Sequence, residues 1–345
     1  MNCFDIPIVL FIFKRTETLK EIINRIAQVN PHKIYIIADG GRNDDENIKC
    51  KECREYVEKL ITWECEIIKN YSPVNRGVYK NIGEGAKWVF SKESKAIFLE
   101  DDNLPEVTFF EYCKELLDKY ENNNKVLWIC GTNYLGKFEN KNSYMFTKHM
   151  LPCGWASWSN KFLKYYDGEL KTISDKEKLK NFRKSYFIES CESRRLYQGQ
   201  LYSAKRTAYL IKNKINESSW DFQMNFSVRS NELYGISPMY NQIKNIGIDE
   251  NSIHGGNKPT KKVLKLCGMP SYELTFPLKH PNKIEVDPKY EKAINKVLNP
   301  PWYLNITRII IILPLKKILR LNKYDSLKSF LERLFQWIEQ KMKKN

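Results

Sequence analysis

The chain has 345 residues, enough to bury roughly 75% of the surface its unfolded form exposes, so a full-sized catalytic core is open to it. Its 57 Lys and Arg against 41 Asp and Glu leave a formal charge of +16, which points to phosphates or an anionic membrane. The excess is spread along a Lys-, Asn- and Ile-rich chain, and we read no nucleic-acid binding from it. Nine cysteines without regular spacing, with Cys65, Cys113 and Cys130 inside apolar runs, exclude a disulfide scaffold and suit reduced thiols in a cytoplasmic protein. Cys50 and Cys53 form a C-x-x-C, but no second pair follows to complete a zinc site.

Met1-Asn-Cys-Phe-Asp5 carries no signal-peptide pattern and runs into Ile6–Phe13, a continuous apolar run that predicts a central strand. Thr18 and Glu21 form a capping box for a helix with an apolar stripe of Leu19, Ile22, Ile23 and Ile26. Lys33–Ala38 is the second predicted strand and delivers Asp39-Gly40-Gly41-Arg42. Helical spacing around Tyr56, Val57, Leu60 and Ile61 leads to a third strand near Cys65–Lys69, and Asn75-Arg76-Gly77 opens the next helix. Ala96–Leu99 is a short buried strand ending in Glu100, Asp101 and Asp102. Three adjacent carboxylates repel one another, and a hard divalent cation carrying a diphosphate would relieve them. Pro105 is expected in the first turn of a helix striped by Val107, Phe110, Cys113, Leu117 and Tyr120, which feeds a fifth strand, Val126–Cys130. Strands and helices alternating in this way predict an α/β, doubly wound Rossmann-like sheet with polar residues at its strand ends.

Beyond residue 131 the periodicity weakens. Leu151-Pro-Cys-Gly-Trp155-Ala-Ser-Trp158 reads as a loop whose tryptophans suit either a stacking face for a sugar ring or a plain core cluster. Residues 161–198 read as helical, Tyr209–Lys212 as a short strand, and Phe222–Val228 as a helix that Asp221 begins or caps. After Pro300-Pro301, the apolar stretch Ile306–Leu315 is too short to span a bilayer and is followed by Lys316, Lys317, Arg320 and Lys323. Apolar residues from Leu327 to Met342 recur at helical spacing. A basic amphipathic tail of this kind suits an anionic membrane surface, the other partners being the parent domain or a second copy of the chain in a homo-oligomer.

In order, Arg15, Asp39-Gly40, Asn75-x-Gly77 and Glu100-Asp101-Asp102 resemble the donor half of GT-A glycosyltransferases. The likeness is nearest to the bacterial family 2-like group, with some similarity to inverting N-acetylglucosaminyltransferase I enzymes. Cys153-Gly-Trp155-Ala-Ser-Trp158, Trp220-Asp221-x-Gln223 and Asn245-Ile-Gly247 followed by His254 look like that group's acceptor-side signatures. The resemblance spans about residues 5–256 and implies a mixed GT-A sheet with C-terminal amphipathic helices. It divides the chain into a nucleotide-sugar half (1–130), an acceptor half (131–260), a linker or extension (261–300) and a basic tail (301–345). It further implies that Arg15 and Asp39 meet the nucleotide, Asp39 pairing with the base, with Asn75 and Glu100 beside them. Asp101 would face the ribose or sugar, and Asp102 would bind Mn²⁺ or Mg²⁺ on the diphosphate of a UDP-sugar or similar donor. His254 would assist, although Ser252-Ile253-His254 departs from the Thr-His pair of many members. Asp221 would take the proton of an acceptor hydroxyl, with Trp155, Trp158 and Trp220 on the acceptor side. The acceptor implied is a bacterial surface glycan or lipid-linked saccharide, at the inner face of the cytoplasmic membrane. Two rivals are a sugar nucleotidyltransferase, which normally needs a glycine-rich loop after strand one that Phe11-Ile-Phe-Lys-Arg15 lacks, and a non-catalytic membrane-surface protein.

Overall fold

The computed structural model of the chain describes residues 3–187, 189–215, 219–247, 266–299, 301–327, 330–331 and 335. Its backbone forms an α/β fold around a mixed eight-stranded sheet. On one side lie four parallel strands, β3 (Glu66–Tyr71), β2 (Lys33–Ala38), β1 (Ile8–Ile12) and β4 (Lys95–Glu100), neighbours in that order. β1 is central and buried throughout, which is why it is apolar at every position. Ile8, Leu10 and Ile12 face a core shared with α1 (Leu19–Ala27), α2 (Asp44–Leu60) and α4 (Thr108–Lys119). Val9 and Phe11 face the opposite core, shared with the π-helical turn Tyr79–Glu84, α3 (Gly85–Phe90) and α8 (Asp221–Ser230).

The other side of the sheet departs from simple alternation. The fifth expected strand, β6 (Val126–Cys130), does not pair with β4, because β8 (Trp155–Trp158) inserts between them antiparallel to both. Then come β9 (Tyr234–Pro238), parallel to β6, and β7 (Tyr144–Thr147), antiparallel at the edge. Pro105, expected in a helix, instead ends β5 (Asn103–Pro105), which pairs with β10 (Ile243–Asn245) in a separate two-stranded sheet, a setting that tolerates a residue without an N–H.

Three further expectations change. The Thr18 hydroxyl makes no cap; it donates to the Asp101 carbonyl, tying α1 to the acidic turn. Tyr209–Lys212 is no strand but the last turn of α7 (Cys191–Lys212), a helix closed at its start by a Ser190–Ser193 capping box. Its buried positions Leu196, Ala204, Thr207 and Leu210 keep helical spacing, so packing overrides the local β-rich run. Of the linker or extension expected over 261–300, the described part packs as an extension. α9 (Pro288–Leu298), begun by the Asp287 cap, buries Tyr290 and Ile294 against Met145 of β7. Of the stripe expected over 327–342, Leu334, Ile338 and Met342 lie outside the described residues.

Candidate active site

Register places the acidic end of β4 beside the loop that follows β1, since Phe11 stands opposite Glu100. The Phe13 N–H donates to Asp101 Oδ2 (2.9 Å), and Arg15 Nη1 lies 3.4 Å from Asp102 Oδ2. Asp102 Oδ1 accepts from the Asn103 amide at 2.6 Å, and the Asp102 carbonyl from the Ile246 N–H at 2.9 Å. A Cβ on Gly247 would lie 2.6 Å from both Arg15 Nη1 and Asp102 Cβ, so only glycine lets the chain pass over this pair. Arg15, Glu100, Asp101, Asp102 and Gly247 are thus one cluster. The Glu100 carboxyl is pushed well above the usual carboxylate range, by burial first and then by the charges of Asp102, Asp101 and Asp221.

Asp39 is 5% exposed and already engaged. Oδ1 accepts from the N–H groups of Gly40 (2.9 Å) and Arg76 (2.7 Å), and Oδ2 from Gly77 N–H (2.9 Å) and the Asn75 amide (3.3 Å). The Asn75 amide also donates to the Gly40 carbonyl at 2.7 Å. Its oxygens taken up, Asp39 organises two glycine turns instead of offering a free edge to a base, which corrects the direct contact expected of it. Arg54, which the sequence did not single out, ties the same turns together by donating to the carbonyls of Asp39 (2.9 Å) and Ser72 (2.8 Å).

Across the sheet, Asp221 is the first residue of α8. Trp220 stands at the cap position and makes no side-chain cap bond, so Asp221 does not serve as the cap. Its Oδ1 is buried without a hydrogen-bond partner among the described residues, as are both amide atoms of the fully buried Gln223. Asp221 lines a cavity of about 100 Å³ together with Tyr134, His149, Tyr186, Gln200 and Asn225. Behind its wall Arg229 donates to His149 Nδ1 (3.1 Å) and sits 3.5 Å from Glu291 Oε1, while His149 Nε2 meets Asn295 Oδ1 (2.9 Å) and Glu291 Oε1 (3.3 Å). A guanidinium only donates, so Nδ1 is the acceptor and the histidine is neutral. Burial lowers its pKa to about 4 accordingly. Tyr134, His149, Gln200 and Asn225 had no pattern to mark them, because they come from separate elements.

No protein-family model matches the sequence, and a search of curated proteins finds no match. Solved structures do. The chain is similar to 4-diphosphocytidyl-2C-methyl-D-erythritol synthase from Anaerococcus prevotii at 9% identity, over 47% of this chain and 76% of that one, with a TM-score of 0.30. It is also similar to UDP-glucose pyrophosphorylase in two structures. The one complexed with UDP-glucose gives 9% identity over 72% of this chain and 95% of that one, TM-score 0.36, and the apo structure 8% over 70% and 93%, TM-score 0.35. At scores this low, the chemistry of the site rests on the chain's own geometry.

That geometry corrects the tryptophan face. Trp155 is no loop residue but part of β8, stacked between Phe98 (3.8 Å between ring centroids) and Trp128 (4.2 Å). The Trp158 indole N–H donates to the Leu117 carbonyl (2.9 Å), and Trp220 packs on Trp128 and Trp155. All three are at most 4% exposed and have no open face for a sugar ring. His254 lies outside the described residues. Among the described residues no three His, Cys, Asp or Glu side chains converge as a ligand set. The mutually repelling carboxyls at the end of β4 are the residues whose oxygen chemistry would suit a Mn²⁺ or Mg²⁺ ion.

Proposed function

We propose that the chain is a glycosyltransferase that moves a sugar from a nucleotide-diphosphate donor, a UDP-sugar being the first to test, onto an acceptor hydroxyl with inversion. The observation that carries this reading is the buried Asp221 Oδ1, without a hydrogen-bond partner among the described residues, on a cavity whose charge reaches the acidic end of β4. A carboxylate so placed can take a hydroxyl proton as the hydroxyl attacks, a contribution typically of 10²- to 10⁴-fold. One base with direct displacement gives inversion. Asp102 would hold Mn²⁺ or Mg²⁺, which when bound neutralises charge developing on the leaving diphosphate. Arg15 anchors Asp102, Asp101 pins the loop after β1, and Asp39 with Asn75 fixes the turns on which the nucleotide would lie.

A sugar nucleotidyltransferase is the second reading, in keeping with the activity named for UDP-glucose pyrophosphorylase. Against it stands the loop Phe13-Lys14-Arg15-Thr16, which has no glycine to cradle a triphosphate and is held by Asp101. Incubation of the chain with a panel of nucleotide sugars and Mn²⁺ should release nucleoside diphosphate, and Asp221→Asn should lower that rate 10²- to 10⁴-fold while donor affinity by calorimetry persists. A near-native rate would remove Asp221 from its role. Pyrophosphate release from a nucleoside triphosphate and a sugar phosphate would establish the second reading instead.

A further inference from the structure

A helical run projects from the C-terminal side of the domain: α10 (Trp302–Thr307), a π-helical turn (Arg308–Ile312) and α11 (Leu313–Ile318) in unbroken succession. One side of the segment that contains it is held by α7. The Arg308 guanidinium lies 4.3 Å from the centre of the Tyr202 ring, and Tyr324 packs against Tyr202 and Tyr209. The Tyr209 hydroxyl donates to Asp325 (2.7 Å), the Tyr202 hydroxyl to the Lys323 carbonyl (3.0 Å), and the buried Lys316 ammonium to the same carbonyl (3.0 Å). These contacts tie the segment to α7 at Arg308 and at residues 323–325.

The rest of the run is largely apolar and open to solvent. Trp302 is 62% exposed, Ile310 66% and Ile318 77%, with Leu304, Ile309 and Ile311 more than half exposed between them. A soluble domain seldom leaves so many large apolar side chains together in water unless something covers them. Charge identifies the cover. Residues 301–324 contain Arg308, Lys316, Lys317, Arg320 and Lys323 and no Asp or Glu, and α7 beside them adds Arg194, Arg195, Lys205, Arg206 and Lys212 against Glu192 alone. Two copies of the chain meeting face to face would set these cations against each other. An anionic lipid surface would take the isoleucines among its acyl chains and the cations among its headgroups. Among the described residues no helix is long and apolar enough to cross a membrane, and at 1.5 Å per residue this run is about 25 Å long, so it would lie in the interface.

We infer that the helical run 302–318 is a membrane-docking surface selective for anionic lipid, with Ile310 and Ile318 as inserted anchors and Lys317, Arg320 and Lys323 as headgroup contacts. This goes beyond the transfer reaction and does not depend on it. Flotation of the full chain with phosphatidylcholine vesicles containing one quarter phosphatidylglycerol should carry it upward, whereas pure phosphatidylcholine should not. The doubly substituted Ile310→Glu/Ile318→Glu chain, altered only at exposed positions, should keep its circular dichroism and melting temperature and lose partitioning by tenfold or more. Lys317→Glu/Arg320→Glu should also weaken it, each lost cation near the surface counting for about fivefold. Asp221→Asn should float like the parent chain, so either reading can fail alone. Recovery of the parent chain in the soluble fraction with anionic vesicles would overturn the inference. So would flotation that Ile310→Glu/Ile318→Glu leaves intact, or a dimer in gel filtration that this variant splits.

Discussion

The two sides of the sheet use polar residues in opposite ways. On the parallel side, β1, β2 and β4 are apolar and buried through their middles, and charge stands at their ends: Arg15 after β1, Asp39 after β2, Glu100 to Asp102 at and after β4. On the mixed side, from β8 to β7, the strand ends are poor in charge and the ionic groups are interior. Arg229 is fully buried, and His149 and Glu291 are 3% exposed. The first arrangement leaves Arg15 and the acidic end of β4 at an edge where a ligand can meet them, with Asp39 holding the turns beside them. The second satisfies them internally, so that α8, which carries Asp221, is fastened through Arg229 to β7 and α9.

If that contrast is right, substitutions on the mixed side act first on stability. Glu291→Gln leaves the buried Arg229 without its counter-charge and should cost about 3–5 kcal/mol in urea unfolding. Trp155→Ala empties a site stacked on both faces and should cost a similar amount, about 3–5 kcal/mol. A Trp155→Ala chain with unchanged stability and a raised KM for acceptor would restore the stacking face and break the comparison.

Acid should sharpen it. The folded His149 stays neutral down to about pH 4, whereas the unfolded residue takes up a proton near 6.5, so between these values the unfolded chain binds more protons. Stability from this group is whole above about 6.5 and falls as the pH drops to about 4, by roughly 3 kcal/mol. Glu291 adds to the loss below 4.5. Burial pushes its carboxyl up, but His149, Arg229, the Thr147 hydroxyl and the Lys148 N–H together hold it below its usual value. Urea midpoints across this window should slope for the parent chain and flatten for His149→Gln. Equal slopes would mean that the histidine is already charged in the fold.

The same contrast explains what could be read from the sequence. β1, β2, β4 and β6 were legible because strands buried on both faces must be continuous apolar runs, and the acidic turn stood out because charge follows such a run directly. β8 was not, since its four residues, Trp-Ala-Ser-Trp, are too short for any period and sit beside a glycine. The cluster behind the cavity was invisible for another reason. His149 and Arg229 are 80 residues apart and Thr147 and Glu291 are 144 apart, so no local spacing connects them. The engagement of Asp39 by four N–H groups was hidden too, because the asparagine and glycine that supply two of them were read as a separate motif.

The smallest effect tests the parallel side on its own terms. Gly77 adopts φ +78, and a Cβ there would meet no atom within 4 Å, so Gly77→Ala adds no clash and charges the chain only for a left-handed backbone. That is worth about 1–2 kcal/mol. Gly77→Asn should cost less, because asparagine visits this region with local hydrogen bonding. The Gly77 N–H donates to Asp39 Oδ2 at 2.9 Å, so a turn that relaxes to avoid the strain must also loosen that carboxylate. Nucleotide-sugar affinity in Gly77→Ala should then fall together with the small loss of stability, whereas Glu291→Gln should lose stability and, at temperatures where it stays folded, bind donor as before. Were Gly77→Ala to keep full donor affinity, the turns around Asp39 would be scaffold like the opposite side of the sheet, and the contrast between the two sides would narrow to Arg15 and the acidic end of β4.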